Sequence, residues 1–243
     1  MAHGVQEMMV QKLQDLVDRL HKAHQDRLVS VILYGSAVTG DHHHRFSDLN
    51  VLCVLKDVSP AALGASEPVF TWWRGQGNPS PLLLTEEEVR TSTDCFPIEF
   101  HDILERRRVL FGPDVIEGLV IDDKFYRSQI EQELRAKLLR LRQKAGSVLS
   151  DKKALLQLMI DSAPNFLVLS RHALLFAGVP TGSQKREIVR NLAAAGIDAA
   201  PFETLLDLRE QTKTPGDVDP QTLFASYLKE IDAVVNYVDR LEK

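Results

Sequence analysis

Leu33-Tyr34-Gly35-Ser36, followed after ten residues by Ser47-Asp48-Leu49-Asn50-Val51-Leu52-Cys53-Val54, is the stretch whose reading decides how this chain folds. The apolar, β-branched residues 29–34 predict a first strand, Gly35-Ser36 a turn opening a short helix, and residues 47–55 a second strand. Alternation along the second strand sends Asp48 and Asn50 to one face and Leu49, Val51, Cys53 and Leu55 to the other, which is assigned to the core. Oxygen ligands beside a turn whose backbone N–H groups can hold phosphates predict a site for a divalent cation and a triphosphate. The second of these ligands is an amide, Asn50, and carries no formal charge.

Upstream, Met9, Leu13, Leu16, Val17 and Leu20 recur at helical spacing, so residues 6–27 should form an amphipathic helix against a sheet. Downstream, Ser59-Pro60 starts a helix that ends in the turn Gly75-Gln76-Gly77-Asn78-Pro79, and residues 81–84 form a brief strand. Thr85 followed by Glu86, Glu87 and Glu88 opens another helix, because a threonine oxygen and acidic side chains suit a helix N-terminus. Residues 96–104 read as a strand with Glu99, His101 and Ile103 on one face and Ile98, Phe100 and Asp102 on the other. An edge strand at residues 108–111 closes the first half.

Beyond Gly112-Pro113 the periodicity is helical throughout, with predicted helices over residues 124–144, 152–176, 183–195, 201–211 and 220–241. Pro164 predicts a kink or break near Ala163. The expected architecture is α+β: a mixed-sheet domain with flanking helices over residues 1–118, then an all-α helical bundle over residues 119–243.

The pattern Gly35-Ser36-x10-Ser47-Asp48-x-Asn50 resembles the signature G-S-x(9-13)-[SD]-D-x-D of the DNA polymerase beta-like nucleotidyltransferase superfamily, which includes minimal and kanamycin-type aminoglycoside nucleotidyltransferases. The match holds at Gly35, Ser36 and Asp48 and departs at Asn50. The resemblance implies Mg2+-dependent transfer of a nucleoside monophosphate from an NTP to a hydroxyl acceptor. Gly35 and Ser36 would hold the triphosphate, with Ser47 beside them. Asp48 and Asn50 would hold magnesium, and a third carboxylate would complete the set. Glu99 is the candidate for that third position, as ligand or as base, and Asp102 is the second choice. The same resemblance makes Arg171, His172, Lys185 and Arg186 candidates for substrate contacts, where a polar helix face is the plain alternative.

Other residues near the motif have two readings each. Arg45 is placed to donate to a phosphate. His42, His43 and His44 are either a solvated loop cluster or metal ligands, and three adjacent side chains cannot all face one point. Glu105-Arg106-Arg107-Arg108 reads as a solvated cluster at a strand end that could reach an anionic substrate. Trp72-Trp73 offers either buried packing or a stacking surface.

Composition narrows the partners. A net charge of -5 gives no basic field for holding a long nucleic acid by counterion release. A small molecule or a protein is therefore the expected hydroxyl acceptor. The two cysteines suggest no disulfide framework and suit a reducing cytoplasm. No apolar run approaches the roughly 20 residues of a membrane span, and no signal-like N-terminus is seen. The chain is thus expected to act in the cytoplasm without a membrane. Asn50 also opens an alternative of another class, a catalytically inactive nucleotide-binding or regulatory partner protein of the same fold. A helical interaction module carried on an α/β scaffold is a third.

Overall fold

The computed structural model describes residues 2–39 and 49–241, with residues 2–6 and 39 described by backbone alone. The chain divides into two compact units that part between Asp122 and Asp123.

In the first unit, helix α1 (Ala2–His24) buries Leu13, Leu16, Val17 and Leu20, the residues whose spacing predicted it. Strand β1 (Leu28–Tyr34) leads through Gly35 into a 3-10 turn (Ser36–Thr39), and β2 (Asn50–Leu55) returns antiparallel to it. Helix α2 (Pro60–Gly75) is the crossover that lets β3 (Leu82–Thr85) run parallel to β2. Helices α3 (Glu86–Thr91) and α4 (Pro97–Glu105) follow, and β4 (Arg107–Phe111) pairs antiparallel with β1. The result is a mixed four-stranded sheet in the order β3-β2-β1-β4.

Local chemistry starts these helices as the sequence predicts. The Ser59 hydroxyl accepts from the Ala62 N–H at 3.3 Å. Thr85 and Glu88 form a reciprocal capping box, the Thr85 hydroxyl accepting from the Glu88 N–H while the Glu88 carboxylate accepts from the Thr85 N–H.

The sheet is covered on both faces, which differs from the expectation that only one face of β2 belongs to the core. Val31, Leu33, Val51, Cys53 and Leu55 pack with Leu13, Leu16, Leu20, Ala62, Val69 and Trp73. Ile32, Leu52 and Val54 pack on the other side with Val89, Phe100 and Ile103. Burial also pushes the Cys53 thiol up to about 12.

Residues 96–104 are not a strand. Residues 97–105 form α4, with Pro97 in its first turn, where a missing N–H costs nothing. Phe100 and Ile103, one helical turn apart, enter the sheet layer, and a short apolar run of this kind suits either period until a partner surface selects one.

The second unit comprises α5 (Tyr126–Ala145), α6 (Lys152–Phe176), α7 (Lys185–Ala194), α8 (Ala200–Arg209) and α9 (Pro220–Arg240). No strand occurs among its described residues. Asp151 and Asp219 cap α6 and α9 through their carboxylates. Helix α6 is unbroken through Pro164, contrary to a predicted break; Ala163, Phe166 and Leu167 around it are buried, and that packing offsets the backbone bond proline cannot make. Across the described residues, no helix is long and apolar enough to cross a membrane.

Candidate functional site

The sequence motif closes on itself at one end of the β1–β2 pair. Tyr34, the last residue of β1, lies across from Asn50, the first of β2, and from Arg107 on the other side. Gly35 follows with a φ of +81°, a left-handed conformation that glycine adopts at little cost. A Cβ added there would stand 3.4 Å from Asn50 Nδ2, so the amide of Asn50 lies directly beside the turn.

The Gly35 N–H donates to the Arg106 carbonyl at 3.0 Å, and the Gly35 carbonyl accepts from the Val38 N–H at 3.1 Å. Gly35 therefore serves the site by its backbone geometry, its own amide being spent on the chain leaving α4. Ser36 is exposed at the start of the 3-10 turn.

Asn50 shares a strand face with Leu52 and Val54, and Tyr34 shares one with Ile32; this is the side on which α4 packs. Glu99 and Asp102, three residues apart on α4, therefore lie on neighbouring turns of one helix side and not on the opposite strand faces expected for them. Both carboxylates act on the Tyr34 phenol. Burial first, then the negative charge of Glu99, then that of Asp102, push it up to about 12. Tyr34 thus pairs with Asn50 across the β1–β2 ladder and feels the charge of both α4 carboxylates. Tyr34 was not among the expected site residues, because an aromatic residue closing an apolar strand carries no signal of its own.

Asp48, Ser47, Arg45, His42, His43 and His44 lie outside the described residues. Among the described residues, no group of three or more His, Cys, Asp or Glu side chains is placed to hold a metal ion. The donor set near Tyr34 is nonetheless all oxygen: one amide and two carboxylates. That chemistry fits a hard divalent cation such as Mg2+ rather than a thiolate- or imidazole-seeking metal.

The other candidates have structural employment. Arg107 pairs with Asp114 at 2.8 Å and donates to the Leu104 carbonyl, so it is no solvated strand-end charge. Trp73 is fully buried, and Trp72 lies under the Arg19 guanidinium at 4.3 Å, which makes both packing residues. Arg171 and His172 are 3% and 0% exposed, contrary to a polar solvated helix face, and His172 Nδ1 meets the Tyr126 hydroxyl at 2.6 Å. Arg186 bridges Asp207 and Glu210, both at 2.6 Å, and ties α7 to α8 and the residue after it.

No protein-family profile matches the chain, and no curated protein matches it by sequence. By structure, the chain is similar to the spectinomycin adenyltransferase AAD(9) from Enterococcus faecialis, whose crystal structure holds ATP and spectinomycin. The TM-score is 0.60 at 13% identity, over 94% of this chain and 99% of that one. The likeness establishes a nucleotidyltransferase-like α+β fold followed by a helical region.

Proposed function

We propose that this chain is a nucleotidyltransferase that moves a nucleoside monophosphate, AMP in the first instance, from a Mg2+-bound NTP to a hydroxyl of a small polar acceptor. The observation that carries this reading is the placement of Asn50 against the Gly35 turn, with Glu99 and Asp102 charging the same strand end, in a fold that aligns over almost its whole length with an adenyltransferase.

The acceptor oxygen attacks the α-phosphorus, the bond to the bridging α–β oxygen breaks, and pyrophosphate leaves. Glu99 would take the hydroxyl proton as base or, alternatively, serve as the third Mg2+ ligand. Asp48 and Asn50 would hold Mg2+, whose part is to offset charge on the triphosphate and on the departing pyrophosphate. Ser36 and the turn after Gly35, with Ser47 and Arg45, would orient the phosphates. This chemistry consists mainly of positioning and charge neutralisation, so each oxygen ligand counts.

A second reading is favoured by Asn50 itself: a nucleotide-binding protein of the same fold without turnover. Incubation with α-labelled NTPs and a panel of hydroxyl-bearing acceptors, beside calorimetry of NTP binding with and without Mg2+, separates the two. Transfer to an acceptor supports the enzyme. Mg2+-dependent binding with no transfer supports the binding protein, and absence of binding defeats both. Within the enzyme reading, Glu99→Gln is expected to lower kcat by roughly 10²-fold or more; NTP binding stays largely in place if Glu99 is the base, and Mg2+ affinity falls with it if Glu99 is a ligand.

A further inference from the structure

At the opposite end of β1, roughly 20 Å of strand away from Gly35, a buried imidazole joins two helices. His24, the last residue of α1, is 1% exposed, and so is Ser66 of α2. His24 Nε2 lies 2.9 Å from the Ser66 hydroxyl, and that hydroxyl donates to the Ala62 carbonyl at 3.0 Å. A hydroxyl has one proton to give. With it committed to Ala62, Ser66 accepts from His24, which sets the Nε2–H tautomer and leaves Nδ1 as a bare acceptor. Nδ1 is buried, and no described residue hydrogen-bonds it.

A second proton on this ring would create a cation and an N–H donor in a buried position with no acceptor among the described residues, and burying such a group is costly. The charged groups around it come from three elements. Arg27, from the 3-10 turn after α1, opposes protonation; Asp57, from the loop after β2, favours it. Glu67 is next to Ser66 on α2 but exposed. The Asp57 carboxylate is already engaged by the Ser59 hydroxyl at 2.7 Å and the Ser59 N–H at 3.3 Å.

We propose that the buried His24–Ser66 contact is an acid-sensitive latch: neutral His24 holds the C-terminal end of α1 on α2, and a second proton on Nδ1 loosens that packing because the cation and its new N–H donor are left buried. The direction follows from linkage. Burial first, then Arg27, depress the imidazole below its ordinary value of 6.5 in the folded chain. The unfolded or locally opened chain therefore binds the proton first as pH falls. Stability from the latch is complete above about pH 6.5 and declines below it, until the folded chain also protonates.

The test is urea unfolding of the whole chain between pH 5 and 8, wild type beside His24→Gln, whose amide keeps a donor for Ser66 and does not titrate. The wild-type unfolding constant is expected to rise relative to the variant's by up to about tenfold per pH unit below pH 6.5, as one linked proton requires. Parallel pH dependences would overturn the proposal. Should the variant fold poorly, two measurements on wild type decide. The His24 ring should titrate in NMR below 6.5, and between pH 7 and pH 5.5 amide protection, taken relative to the intrinsic exchange rate at each pH, should fall over residues 18–24 and 60–70 ahead of the rest of the unit. A midpoint at or above 6.5, or uniform exchange, would overturn it.

Discussion

Asn50 is one atom group away from a carboxylate, and it stands beside the turn where a triphosphate is proposed to sit. Its amide oxygen can ligate magnesium but offsets no charge, and charge stabilisation in such sites is worth several kcal/mol. Asn50→Asp is therefore expected to raise Mg2+ affinity and transfer rate together, while Asp48→Ala abolishes Mg2+-dependent NTP binding. Steady-state kinetics and calorimetry across a Mg2+ series check both. A wild-type rate equal to that of Asn50→Asp would show that the amide limits nothing; an Asn50→Asp variant without gain in an otherwise binding-competent chain would favour the non-catalytic reading. Gly35 and Asn50 were both legible as candidates from spacing alone. Tyr34, and the common helix side of Glu99 and Asp102, were not, because they depend on which period residues 96–104 adopt.

Element by element, strength of pattern separates what was readable from what was not. The helix starts at Thr85 and Ser59 and the long amphipathic helices declare themselves through short-range chemistry, and the structure carries them as expected. Helix α4 did not, since nine residues with apolar positions two, three and four apart satisfy either period. Pro164 is the opposite case: a strong local rule is overridden by packing on both sides of it. Because α6 stays helical through the proline, Pro164→Ala would let residue 164 donate to the Ile160 carbonyl and remove the ring's clash with it. The variant is expected to be more stable, by up to about 3 kcal/mol. Thermal unfolding measures it, and a fall in Tm would mean that the half-buried ring contributes more by packing than it costs the backbone.

At the scale of the molecule, the chain divides into two compact units, and both tryptophans of the chain, Trp72 and Trp73, belong to the first. Tryptophan emission in urea is thus expected to follow the first unit alone, while the helical circular dichroism signal follows both. The two transitions should not coincide if each unit unfolds by itself, and superposed curves would show a single cooperative unit. The sequence by itself determined the α+β class, the helical character of the second half and the turn at Gly35 between two strands, because periodicity and turn chemistry act over a few neighbours. Only the tertiary structure decided that β2 is buried on both faces, that residues 97–105 coil into α4 and bring Glu99 and Asp102 to Tyr34, and that Arg171 and His172 lie in the interior. Those outcomes depend on which surface packs opposite each residue, and no local pattern contains that information.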